Sequence, residues 1–255
     1  MTGELVDPLN GAADLSAKIL RHVGPAFEED PVRILRLARF TARFVDFSIA
    51  PVTLTLCRKM VEQGEVDALV PERVWQELSR GLICQKPSRM MHVLVACGAS
   101  TRVLPGWNDS QRVSDAIDRA AQLDLPLASR FALLCLDTQD PISLAKHLRA
   151  PTECSDMSRL LPVVLKAVGS LVMTPEDVLA LFEQCDAIRK PERLTELLRT
   201  AQVVSAVSVG NWKHWLDAVL SIDAGAAARS ASSPMQIKAV VRAARLEALT
   251  IAFIV

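Results

Sequence analysis

The sequence predicts an all-α protein, with at most one short strand at its N-terminus. Two observations carry that prediction, and a third narrows the architecture. From Gly11 onward Ala, Leu, Arg, Glu and Gln dominate, all residues that lose little freedom in a helix. Pro and Gly fall mainly where one helix would hand over to the next. No fixed-period repeat is visible, which argues against a solenoid of identical units.

The stretch Gly3 to Gly11 holds the best candidate for a strand, Leu5 to Val6, between turn residues. Helices are then expected at 13–22, 30–44, 51–62, 71–84, 87–97, 110–122, 127–136, 141–149, 153–168, 175–185, 190–205, 212–220 and 234–252. Pro31, Pro71, Pro175 and Pro191 sit where a first helical turn tolerates a missing N–H. Thr174 adds an N-cap hydroxyl, and Glu176 and Asp177 suit the positive end of the helix dipole.

With 255 residues the chain can bury a substantial core. Lys plus Arg total 29, as do Asp plus Glu, so any affinity for nucleic acid must come from a local basic patch. The N-terminus lacks a signal-peptide pattern, and the apolar run Glu247 to Val255 is far too short to span a bilayer. Cys57, Cys84, Cys97, Cys135, Cys154 and Cys185 are scattered, and the four histidines (His22, His92, His147, His214) are isolated. That spacing predicts no metal site, and fits buried thiols in a reducing, cytoplasmic setting.

Chemical information is densest between Arg21 and Phe44. On a helical wheel Ile34, Leu37, Ala38 and Thr41 cluster on one side, while Arg33, Arg36, Arg39 and Arg43 gather on another. Four arginines with few acids among them repel one another and call for something anionic. A solvated basic face paired with acids from neighbouring helices satisfies the same pattern.

The run Glu29-Asp-Pro-Val-Arg-Ile-Leu-Arg-Leu-Ala-Arg-Phe40 resembles the nucleotide-selecting motif of class II tRNA nucleotidyltransferases, the CCA-adding enzymes and the related poly(A) polymerases. Asp7 to Gly11 and Leu20 to Val23 resemble the passage from that family's head into its neck. Leu69 to Glu77 resembles the neck RNA-binding helix, Cys97–Gly98 through Leu104–Pro105 its end, and Phe182 to Arg193 a stretch of the body. The resemblance implies a remnant of the head and linker over 1–18, a neck over 19–105, and a helical body or tail over 106–255.

What the resemblance implies about chemistry has a physical basis. Enzymes that select CTP and then ATP without a template must imitate a base-pairing edge. A carboxylate accepts from an exocyclic amine of cytosine or adenine, and a guanidinium donates to ring acceptors. By resemblance Asp30 and Arg33 read the base, placed on one helix face by their three-residue spacing. Arg36 and Arg39 support the pocket or contact phosphate, and Glu29 orients arginine side chains. An N-cap role for Asp30 beside Pro31 is compatible with reading a base. Arg73, Lys86 and Arg89 are candidates for acceptor-stem phosphates, with solvated surface the plainer alternative. Trp75 reads more readily as core than as a base-stacking platform.

The resemblance also implies Mg2+, which the family's head holds through paired carboxylates after a Gly-rich strand turn. Only Glu28-x-Asp30 and Glu65-x-Asp67 have an acid-x-acid form here, and both fall at expected helix boundaries. No catalytic or metal-binding residue is therefore assigned, and the chain alone is expected to add no nucleotide. Some relatives carry a His-Asp phosphohydrolase. Here Leu136 stands where its histidine would precede Asp137, so that activity is not expected. The implied partners are the tRNA acceptor end, CTP, ATP and a head domain supplied by another chain, with no membrane. A poly(A) polymerase, a stand-alone RNA-binding module and a helical remnant that binds nothing are the competing readings.

Overall fold

The computed structural model describes residue 3 and residues 6–170, 172–206, 209–231 and 233–254. Among these the chain is helical almost throughout, as expected. In order it forms α1 (Gly11–Ser16), β1 (Ile19–Leu20), α2 (Val32–Arg43), β2 (Ser48–Ile49), α3 (Pro51–Glu62), α4 (Pro71–Leu82), α5 (Ser88–Ala96) and α6 (Ser100–Val103). There follow α7 (Gln111–Gln122), α8 (Leu127–Leu134), α9 (Pro141–His147), α10 (Thr152–Val168), α11 (Pro175–Gln184), α12 (Pro191–Ala201), α13 (Val209–Leu220), α14 (Ala224–Arg229) and α15 (Ile237–Ala252). Single 3-10 turns occupy Pro25–Glu29, Glu65–Ala68 and Pro234–Gln236.

The local start signals act as the chemistry requires. Pro51, Pro71, Pro141, Pro175 and Pro191 open their helices, where the absent N–H costs nothing. Thr174 and Asp177 form a reciprocal capping box at the head of α11. Ser110 caps α7 by accepting from the Val113 N–H at 3.2 Å.

The strand expectation is corrected. Leu5 lies outside the described residues, and Val6 belongs to no strand and is 84% exposed. The two short strands found are β1 and β2, which pair in parallel with Ile19 opposite Ser48. The helix expected over 13–22 stops at Ser16 because Lys18 adopts a left-handed φ of 56° and turns the chain into β1. The Ser48 N–H donates to Lys18 O at 2.9 Å and the Ala50 N–H to Leu20 O at 3.0 Å. That pairing joins residues about thirty positions apart, which local pattern cannot reveal.

The chain folds into two compact units, Met1–Arg159 and Leu160–Val255, with the division inside α10. In the first unit α2 packs on α4 and α5, and α8 packs on α4 and α7. Ile34, Leu35, Leu78, Leu82, Met90 and Phe131 are fully buried there. Trp75 meets Phe131 edge-on at 5.3 Å, which makes it a packing residue. In the second unit α15 packs on α11, α13 and α14, and Trp215 stacks on Phe253 at 4.3 Å.

Arg130 of α8 is 4% exposed, and the sequence offered no sign of its role. Its guanidinium donates to Leu125 O at 2.6 Å, to Leu82 O at 3.0 Å and to Asp124 Oδ1 at 3.1 Å. Carbonyls at and just beyond the ends of α4 and α7 lack helical partners, and one forked cation satisfies both ends. Among the described residues no helix is long and apolar enough to cross a membrane.

Candidate functional site

The site is organised by the entry into α2. Asp30 is extended, with φ −140° and ψ 104°, because a residue before proline is disfavoured in the helical region. The expected helix from residue 30 therefore begins at Val32, and Asp30 stands just outside it. Its Oδ1 accepts from the Val32 N–H at 3.1 Å and its carbonyl from the Arg33 N–H at 3.0 Å. Its Oδ2 accepts from Arg73 Nη2 at 2.7 Å, tying the head of α2 to α4. The Arg73 hydrogen bond above all holds the Asp30 carboxyl below its ordinary range, helped by the Val32 N–H and opposed by partial burial.

The arginines of α2 do not face one common space. Arg33 donates through Nη1 to Ala26 O at 2.7 Å, and with Arg36 it borders a concavity of 780 Å3 shared with Asp14, Arg21, His22 and Phe27. On the other side Asp30, Arg36, Arg39 and Arg73 line a cleft of 350 Å3 together with Gln76, Glu77 and Arg80. Arg36 borders both. Asp30 and Arg33 are thus neighbours whose present hydrogen bonds point to different partners.

The compensating charge predicted for this helix is partly internal. Arg39 Nε donates to Glu77 Oε2 at 2.6 Å, and its guanidinium lies 4.6 Å over the Phe40 ring. Arg43 lies 5.4 Å over Phe44. Among the described residues neither Arg36 nor Arg43 is paired with a carboxylate. Glu29, expected to orient arginines, is exposed in its 3-10 turn. The acids that orient arginines here are Glu77 and Asp30.

The three candidates for phosphate contact differ in their freedom. Arg73 is bound to Asp30 but about half exposed. Lys86 is exposed. Arg89 is half-buried and donates to Thr41 O at 3.0 Å and to Phe47 O, closing the carboxyl end of α2. Gln76 and Arg80 were not anticipated as lining residues. Arg80 follows Arg73 by seven positions, two helical turns, which is the spacing that could have revealed it.

The acid-x-acid runs do not gather. Glu28 faces Lys59 at 3.4 Å, Asp30 faces Arg73, and Asp67 faces Arg102 at 3.3 Å. Among the described residues no group of three or more His, Cys, Asp or Glu could hold a metal ion. The residues present therefore do not fit the Mg2+ that the resemblance implies. Asp137 accepts from Ser110 at 2.6 Å and from Arg112 at 2.9 Å, bonds that fix the start of α7. His22 meets Thr53 Oγ1 at 2.8 Å and packs edge-on against Phe27.

A family model described as "Probable RNA and SrmB- binding site of polymerase A" matches residues 46–110, which run from just before β2 to the N-cap of α7. The CCA-adding enzyme of Bordetella pertussis is 57% identical over 248 residues, covering 97% of this chain and 68% of that protein. The chain belongs to the CCA-adding enzyme family. Among solved structures, a CCA-adding enzyme with ATP superposes with a TM-score of 0.68 at 15% identity. It covers 96% of this chain, which spans only 61% of that one. The Thermotoga maritima CCA-adding enzyme complexed with tRNA gives a TM-score of 0.65 at 15% identity, over 98% of this chain and 67% of that one. At those identities the superpositions establish that the fold is shared.

Proposed function

We propose that this chain supplies the nucleotide-selecting and tRNA-holding part of a CCA-adding enzyme. The observation that carries the reading is Asp30, fixed beside the first turn of α2 by Arg73 and the Val32 N–H, with Arg33 next to it. An ionised, oriented carboxylate accepts from the amine of cytosine or adenine, and the Arg33 guanidinium donates to the ring acceptors. Guanine and uracil present the opposite donor pattern and are rejected. Arg33 turns from Ala26 O to the base, while Arg36 and Arg39 border the space that a triphosphate would need. Residues 19–105 act as the neck and 106–255 as the body, with Arg73, Lys86 and Arg89 near acceptor-stem phosphates. Bond making, and the Mg2+ it needs, belongs to a head domain that meets this neck, within the same polypeptide or from another chain. The setting we assign is the cytoplasm.

Because the matching family model is described by polymerase A, adenylation of RNA ends is the second reading. Restoring a head and sequencing the products separates the two, by addition of CCA or of A alone.

The first test is fluorescence anisotropy of this chain with a tRNA lacking its CCA end, at two salt concentrations. Binding that weakens steeply with salt is expected, from counterion release at phosphate contacts. Absence of binding at roughly micromolar protein overturns the tRNA-holding role of the chain by itself.

A further inference from the structure

We propose that a cleft lying wholly within the second unit, between the end of α11 and α15, is a phosphate-accepting site. The cleft measures 650 Å3. On α15 Lys238, Arg242 and Arg245 recur at four and three positions, so one helix face carries all three. Opposite them stand Glu183, at the end of α11, and Asp186 and Arg189 in the following turn.

Pairing within the cleft is incomplete. Arg242 Nε donates to both oxygens of Glu183, at 3.0 and 3.2 Å. Asp186 lies 3.6 Å from Arg189. Among the described residues Lys238 and Arg245 have no carboxylate partner, and Arg245 Nε is buried without any hydrogen-bond acceptor. A guanidinium that borders a cleft without a carboxylate of its own keeps its outer N–H groups for an anion. Four cations against two carboxylates leave two positive charges, 4 − 2 = 2, which match a phosphate monoester dianion.

The donor geometry agrees with the charge. A phosphate offers three acceptor oxygens, enough for the Arg245 fork and for Lys238 at the rim, where a point charge suffices. Ile188 and Ile237 give the cleft apolar walls beside these donors. The phosphate belongs either to a small phosphorylated compound or to an RNA end. The proposal stands apart from the reading of Asp30 and Arg33 and does not depend on it.

The test is a titration of the full chain with inorganic phosphate, following arginine Nε–H resonances by 15N NMR. A saturable shift at Arg245 is expected. Lys238→Ala and Arg245→Gln should each weaken binding roughly tenfold, read in the variants through Arg242, whereas Arg33→Ala should leave it unchanged. Lys238 is exposed, so its variant keeps the test decisive if Arg245→Gln unsettles α15. A tRNA lacking its CCA end that reproduces the shift assigns the phosphate to RNA. A shift with phosphate alone assigns it to a small compound. No saturable shift at Arg245, or unchanged affinity in both cleft variants, overturns the site.

Discussion

Arg39 of α2 and Glu77 of α4 form a 2.6 Å ion pair whose side chains are only 13% and 8% exposed. Arg80 stands 4.0 Å from the same carboxylate. The pair crosses the contact between α2 and α4, and both of its residues line the cleft that Arg36 and Asp30 border.

Removing one partner of such a pair strands a buried charge. Glu77→Ala is expected to destabilise the first unit by about 3 kcal/mol. Replacing both residues, Arg39→Met with Glu77→Leu, should cost less than either single change, because no charge is stranded. Urea denaturation of Arg39→Met, Glu77→Leu and the double variant checks this, and additive losses would contradict it.

Asp30 should show a dependence on pH that follows from its pairing. Its folded pKa lies below the ordinary value of 3.8, so the stability it contributes is present above 3.8. That contribution is lost as pH falls through the lower folded value. Since Arg73 is about half exposed, solvent screening keeps the contribution under about 1 kcal/mol. Asp30→Asn should therefore lower stability slightly at neutral pH and not at all in strong acid. Denaturation curves across that range measure it, and a penalty that persists at the acid end would argue against the pairing.

Arg130 should tolerate no replacement. Arg130→Met leaves the Leu82 and Leu125 carbonyls without their donor, at an expected cost of about 3 kcal/mol. Arg130→Lys should recover little, since one ammonium cannot reproduce the fork. Thermal unfolding of both variants decides the matter.

The thiols should differ sharply in reactivity. Burial raises Cys57 to about 12 and Cys154 to about 11, and pushes Cys135 up strongly as well. Cys84 is half-buried, and the charges of Arg39, Arg43 and Arg130 oppose the rise caused by its burial. At mildly alkaline pH iodoacetamide should label Cys84 before Cys57, Cys135 and Cys154. Peptide mass mapping over time gives the order, and early labelling of Cys57 or Cys135 would count against the packing described.

The resemblance picked out Asp30, Arg33, Arg36 and Arg39 from their order along the chain, and the structure gathers Asp30, Arg36 and Arg39 around one cleft. Of the two placements open for Asp30, on the helix face with Arg33 or at the cap beside Pro31, the extended backbone before that proline leaves it just outside the helix. Arg89 reads in the sequence as a phosphate-contacting or a solvated cation. Its bonds to the end of α2 were not legible there, because the carbonyls it satisfies lie more than forty residues away in sequence. The short helices α6 and α14 carried no period long enough to detect.

By itself the sequence determined the class of fold, most helix starts and the family. Those depend on propensity, proline placement and residue order, all of which act between near neighbours. Tertiary structure alone decided that Arg73 orients Asp30, that Glu77 neutralises Arg39, and that β1 finds β2. It also decided that Lys238 and Arg245 face a cleft without a carboxylate of their own. Each of these depends on which charges and backbone groups packing brings together from distant positions, and on how far burial strips them of water.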